Sequence, residues 1–475
     1  MLDTVVGRDA EIRALQHAFK SKEAELIAVV GRRRVGKTFL IREVFASRIA
    51  FEVTGLQHAT TATQIQHFHF NLIQQFDRPE LPLADNWLRT FFDLQRILDE
   101  GESDKRRVLF FDELPWLAGR RREFLTAFGA FWNGWAVKRN VVVVICGSAA
   151  SWMIEKVVND TGGLYNRITK RIYLKPFTLA ETQLFLQRKG VDYPPKMLAE
   201  LYMILGGIPH YLKEIDSGKS LVQNIDALCF APTGALRNEF DQLYPALFRD
   251  AERHIRVIRA LANRRQGMTR SEVVKKSGLP EGGNTTQVLT ELEQSSFIQS
   301  YYQFGKKRKG KVYRLVDEYS LFYLRFIETN KEEGAGTWMQ LSQTQAYKIW
   351  SGYAFENLGL KHLPEIKRAL GIDGIYSQSS SFYRRGTDTQ GGVQIDFLID
   401  RNDQVIDLVE AKFHDEPFSI TKAYAAQLRE KRRRFREATG TRKLLRIVML
   451  TPYGVVPGGY AEELVPQSIV LEDLY

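Results

Sequence analysis

Apolar and polar positions follow three rhythms along this chain. In the first third, Ile12, Leu15 and Phe19 recur at helical spacing, and three unbroken apolar runs follow at 26–30, 108–111 and 141–146. Runs this short and this uniform predict strands buried on both faces, as in a parallel sheet covered by helices. In the middle, Ile255, Ile258 and Leu261 mark one helix face. Thr269 and Glu272 form a capping box that opens a short helix ended by Gly278. Asn284 is the expected cap of a third helix with Val288, Leu289 and Leu292 at core spacing, and strands are expected at 297–304 and 312–315 around the tip 305–310. The last third predicts a helix at about 342–370, strands near 382–384, 393–399 and 405–412, a basic helix at 420–438 and a strand at 444–450. The expected fold class is α/β and multidomain.

Between the first apolar run and the helix that begins at Phe39 lies Gly31-Arg32-Arg33-Arg34-Val35-Gly36-Lys37-Thr38. This is the G-x-x-x-x-G-K-[ST] pattern in the strand–loop–helix setting it requires. Its glycines let successive N–H groups face one anion, at which the following helix aims its positive end. Lys37 is placed to reach β- and γ-phosphates and Thr38 to hold Mg²⁺, so the expected ligands are ATP and Mg²⁺. The second run ends in Asp112-Glu113, a carboxylate for the metal and a general base for water. The third ends in Ser148, which is either a sensor of the γ-phosphate or a helix cap. Arg167 and Arg171 are each able to supply a finger, in cis or across a subunit interface, which would make the protein a homo-oligomer. His58, His67 and His69 read as surface or core residues, because His67 and His69 fall on different helix faces.

Composition narrows the setting. The chain has 475 residues, 44% hydrophobic and 26% charged, enough for about three domains at ~150 residues each. No apolar stretch reaches the length of a membrane span, and the first residues have no signal-peptide character. The two cysteines, Cys146 and Cys229, stand far apart, which fits a cytoplasmic protein without disulfides. A net charge of +11, with dense basic runs at 306–309 and 429–436 in the second half, points to a polyanionic partner, with DNA favoured.

The order Val6-Gly7-Arg8, Gly31–Thr38, Phe110-Phe111-Asp112-Glu113 and Cys146-Gly147-Ser148 resembles the archaeal-type ATPase family of the AAA+ and signal-transduction NTPase group. The stretches 174–181 and Gly206-Gly207-Ile208-Pro209 are similar to those that open and punctuate that family's helical lid. The resemblance covers about 1–330 and implies a P-loop ATPase core at 1–173 and a lid at 174–245. By the same analogy Gly7 and Arg8 lie near the adenine and the Gly206–Pro209 turn approaches the nucleotide.

The three helices and basic hairpin at 246–330 resemble a winged-helix domain. It either contacts DNA through Asn284, Thr285, Thr286 and Gln287, with Lys306, Lys307, Arg308 and Lys309 on phosphates, or packs on its neighbours. A linker is expected at 331–341.

In the last domain, 342–475, thirteen residues separate Asp396 from Glu410, and Glu410-Ala411-Lys412 puts the acid and the lysine on one strand face. Two converging carboxylates suit Mg²⁺, Lys412 is placed to activate water, and Glu356 supplies a third carboxylate. Order and spacing resemble the PD-(D/E)xK nuclease superfamily, whose motif positions Glu356, Asp396, Glu410 and Lys412 match, with Gln427 on the next helix and Gln394-Ile395 in place of the proline. The resemblance implies either a metal-dependent nuclease or an inactive fold that binds DNA. Arg429–Arg436 is either its phosphate contact or a solvated face.

Overall fold

The structure, a computed structural model, describes residues 5–101, 105–119, 121–159, 164, 166–306, 310–330, 334, 336–384 and 392–475. Two compact units divide the chain, Met1–Pro176 and Phe177–Tyr475.

In the first unit the strands are β1 (Glu25–Val30), β2 (Ile49–Thr54), β3 (Arg107–Asp112), β4 (Val141–Gly147) and β5 (Lys170–Tyr173). All neighbours are parallel, in the order β2-β3-β4-β1-β5. The three apolar runs are its central strands, buried at almost every residue because helices cover both faces. Strand β2 escapes the apolar-run pattern because it is an edge strand with alternating exposure. Parallel strands bring all their carboxyl ends to one edge. There β1 delivers the phosphate loop, β3 delivers Asp112, and β4 lies between them.

The second unit opens with helices Leu179–Arg188, Pro195–Leu205 and Pro209–Leu212. Helices Ala251–Ala262, Arg270–Ser277 and Gly283–Gln294 follow, with a three-stranded sheet β6-β8-β7 made of β6 (Met268–Thr269), β7 (Ile298–Tyr302) and β8 (Lys311–Leu315). The capping box at Thr269 opens the second helix and the left-handed Gly278 ends it, as the sequence dictates. The third helix departs from expectation. Gly282 precedes its first turn, so Asn284 lies inside the helix and is not its cap. The tip residues Lys307, Arg308 and Lys309 lie outside the described residues, as do Lys331–Glu333 and Ala335 of the expected linker. The rest of that linker is not all loop: Thr337–Leu341 is a helical turn whose Trp338 is fully buried against Phe230, Phe322 and Phe326.

The last 130 residues of this unit run helix Gln345–Lys361, short helix Leu363–Ala369, β9 (Ser377–Arg384), β10 (Val393–Arg401), β11 (Val405–Ala411), helix Lys422–Thr439, β12 (Leu444–Leu450) and β13 (Gln467–Ile469). The sheet order is β13-β12-β11-β10-β9, with β9, β10 and β11 antiparallel and β11, β12 and β13 parallel. Ala425, Leu428 and Phe435 anchor the basic helix on this sheet. No described helix is long and apolar enough to cross a membrane.

Candidate active site

Gly31 leaves β1 where a β-carbon would lie 2.4 Å from the Leu174 carbonyl oxygen, so the strand must end there in glycine. Arg34 (φ 73°) and Gly36 (φ 91°) are left-handed, which curls the loop into the first turn of the helix Lys37–Phe45. Lys37 is buried and its Nζ donates to the carbonyls of Gly31 (2.9 Å) and Arg32 (3.1 Å). Its charge is therefore held inside the curve by two neutral acceptors, where an anion would displace them. Arg8, itself left-handed next to Gly7, reaches the Val35 carbonyl at 3.5 Å, so the amino-terminal Gly-Arg pair borders the same loop. Arg32 is buried, Arg33 and Arg34 are half-buried, and Phe39 is exposed.

Strand order assembles the rest. Thr38 Oγ1 donates to Asp112 Oδ2 at 2.7 Å. The other carboxylate oxygen, Oδ1, accepts the Glu113 N–H (2.9 Å) and the Cys146 thiol (2.8 Å). Cys146 stands beside Asp112 because β4 pairs with β3 up to Ile145 and Phe111. Glu113 has φ 47°, an unusual conformation for a side-chain-bearing residue, which turns it towards β4. There its Oε2 accepts the N–H (3.0 Å) and the hydroxyl (2.8 Å) of Ser148. Ser148 does not cap the helix Ala150–Met153, whose flanking residue is Ala149.

Burial pushes the Glu113 carboxyl above the usual carboxylate range, against the pull of Lys37 and the Ser148 bonds. Burial, with Asp112 beside it, also raises the Cys146 thiol, so it stays protonated and donates. A hydroxyl and a carboxylate at this separation are the hard oxygen donors Mg²⁺ prefers, so Thr38 and Asp112 fit that ion.

Arg167 needs correction as a cis finger. Thr169, two residues later, bonds to Leu26 at the start of β1. Arg167 precedes that level, so it lies at least about five residues, roughly 16 Å of strand at 3.3 Å per residue, from Gly31 and towards the opposite edge of the sheet. Arg171 is exposed and donates to the Val158 carbonyl. His67 bonds to the Thr54 carbonyl, and burial lowers the pKa of His69.

In the second unit the pairing of Phe397 with Val409 sets Asp396 beside Glu410, and the pairing of β10 with β9 shifts register between Ile395 and Leu398, the stretch that holds Asp396. The expected metal set is nevertheless not assembled. Lys431 Nζ bridges both oxygens of Glu410 (2.7 and 2.6 Å), with Lys412 Nζ farther off at 3.8 Å. Arg314 Nη2, from β8, holds Glu356 at 3.0 Å, and Asp396 Oδ2 accepts the Ala411 N–H at 2.9 Å. Burial and the neighbouring Asp396 raise both glutamates, opposed by Arg314 at Glu356 and by Lys431 at Glu410. Among the described residues no three His, Cys, Asp or Glu side chains gather as a metal-holding group. The donors present are answered by cations of the chain itself, so as described they do not fit a metal. Gln427 is exposed. Arg314 and Lys431 lie far from the motif in sequence, and only the folded chain reveals them.

Among the expected groove residues, Asn284, Thr286 and Gln287 are exposed, whereas Thr285 is buried and donates to the Pro280 carbonyl (2.6 Å), which removes it from any groove contact.

A parallel sheet, a curled phosphate loop and an adjacent acid pair define a P-loop ATPase domain. Residues 5–215 match the family described as an ATPase domain predominantly from Archaea. Over 428 residues the chain is 24% identical to an uncharacterized protein of Methanocaldococcus jannaschii, covering 86% of this chain and 88% of that one. Among solved structures it is similar to the Walker-type ATPase of Pyrococcus abyssi (20% identity, 68% of this chain and 97% of that one, TM-score 0.48). It is also similar to the Aeropyrum pernix ORC2 protein (12% identity, 71% and 95%, TM-score 0.41).

Proposed function

We propose that the protein hydrolyses ATP in its first unit and uses the nucleotide cycle to control nucleic-acid binding by its second. The observation that carries the hydrolytic half is the joined set Thr38–Asp112 and Glu113–Ser148 at the edge where the phosphate loop emerges. In this reading Lys37 neutralises the β- and γ-phosphates, and Thr38 and Asp112 hold Mg²⁺. Bound there, the ion supplies charge neutralisation on the phosphate oxygens. Glu113 accepts the proton of the attacking water, with Ser148 fixing its carboxylate. Arg167 acts as a finger only across a subunit interface of a homo-oligomer. Replacing Lys37 by Ala is expected to weaken ATP binding at least a hundredfold by calorimetry. Unchanged affinity would reject the site.

The nucleic-acid half rests on the basic run 429–436 of the second unit and on how that helix is held. Arg429, Arg433 and Arg434 pair with Glu463, Glu430 and Glu437 at the surface. Such exposed pairs are worth little and can be exchanged for phosphate contacts. DNA is the favoured polyanion, with exposed Asn284, Thr286 and Gln287 towards a groove and Lys306 beside it. The second unit is then a binding module of nuclease-like build.

Cleavage is the second reading, favoured by the pairing of Asp396 and Glu410 with Lys412 nearby. It requires Lys431 to leave Glu410. Plasmid nicking with Mn²⁺ by the intact protein, absent from an Asp396→Ala variant, would establish it. Equal nicking by both proteins would trace the activity to a contaminant, and none by either would leave the binding module.

A further inference from the structure

Within the second unit a cavity of about 470 Å³ opens between the helix Ala251–Ala262 with the turn after it, the aromatic segment 318–327, and the helix Gln345–Lys361. Its volume lies in the range of small-molecule sites, and neither the phosphate loop nor the carboxylates of β10 and β11 contribute to it.

Three guanidinium groups line this cavity, Arg259, Arg265 and Arg325, against one carboxylate, Glu328. Arg259 already satisfies that carboxylate, donating to both oxygens at 3.3 and 2.5 Å. Arg265 is steadied by the Ile349 carbonyl, and Arg325 is exposed to solvent. Arg265 also lies over the Tyr353 ring and feels the more distant Glu356, so Arg325 keeps its charge at the cavity and Arg265 shares part of its own with Glu356. Leu324 and Trp350 supply apolar wall, and the buried Trp350 Nε1–H has no hydrogen-bond partner among the described residues. An excess of forked cations suits a phosphate, because a guanidinium binds it through two parallel hydrogen bonds. The apolar wall suits a ring.

We propose that this cavity is a second ligand site that takes an organic phosphate of mononucleotide size, its phosphate between Arg265 and Arg325 and its ring on Leu324 and Trp350. The walls come from the three-helix module and from the helix that precedes the carboxyl-terminal sheet. A ligand here therefore stabilises the packing of those two elements.

The test uses the full chain carrying Lys37→Ala, to silence the phosphate loop, titrated calorimetrically with each of the four ribonucleoside 5′-monophosphates. Saturable one-site binding is expected for at least one of them. Adding Arg325→Ala should weaken it about tenfold, the value of one charge-assisted contact, without moving the melting temperature. Arg265→Lys, which keeps the charge and loses the fork, should fall between. No heat up to millimolar monophosphate would overturn the proposal, as would affinity indifferent to Arg325. Inorganic phosphate binding as tightly as the nucleotides would overturn the ring assignment. Arg325-dependent binding of a DNA oligomer alone would reassign the arginines to a nucleic-acid surface. The outcome is independent of the hydrolysis reading, since Arg325 takes no part in it.

Discussion

Glu113 is the residue on which chemistry and environment meet. Burial raises its carboxyl, so it takes up a proton at higher pH than an exposed glutamate. A base works only when deprotonated, so turnover should fall as pH drops through that raised value, with a single-proton acid limb above the ordinary glutamate range. A kcat profile flat down to about pH 4.5, the ordinary range, would contradict the assignment. Cys146 belongs beside it. The sequence presents it as a small core residue in an apolar run, and only the β3–β4 register shows its thiol on Asp112. Cys146→Ala should slow turnover about tenfold, one lost hydrogen bond to a charged group, with the KM for ATP little changed, and Cys146→Ser should restore most of it. A Ser variant no better than Ala would reduce Cys146 to packing. The phosphate loop itself was legible, because only glycine tolerates the Leu174 approach at 31 and glycine is favoured at the left-handed turn at 36. The choice between a cis and a trans role for Arg167 was not legible, because sequence order does not reveal which edge of a sheet a residue occupies.

At the level of elements, long periodic and uniformly apolar segments announced themselves. The central strands β1, β3 and β4 and the order of the last third follow directly from their patterns. Short or half-exposed pieces did not: β2 alternates at an edge, β6 has two residues, and β13 has three. The third helix of the middle module starts at Gly283, one residue before the side chain that pattern alone makes its cap. The expected linker hides Trp338, whose ring is buried among Phe230, Phe322 and Phe326. Trp338→Ala should cost about 3–5 kcal/mol of unfolding free energy in urea, as large aromatic truncations do in cores. A loss below about 1 kcal/mol would return this segment to a loose connection. The carboxylate cluster shows the same divide. Its spacing was legible, whereas the cations that occupy it come from β8 and from the basic helix, which no local motif connects to it.

For the whole molecule, both units carry net positive charge, and the arginines of the helix Lys422–Thr439 are held by exposed ion pairs that phosphate contacts can replace. Binding of nucleic acid should therefore weaken steeply with salt, through counterion release. Coupling between nucleotide state and nucleic-acid binding is isolated by Glu113→Gln. This variant should bind ATP and hydrolyse it 10²–10⁴-fold more slowly, the usual contribution of a general base. It would hold the protein in its ATP state. The direct measurement is fluorescence anisotropy of a labelled DNA duplex with this variant in ATP, in ADP and without nucleotide, at one fixed salt concentration. Affinity in ATP should differ at least fivefold from that in ADP. Identical binding curves in all three conditions would contradict the coupling.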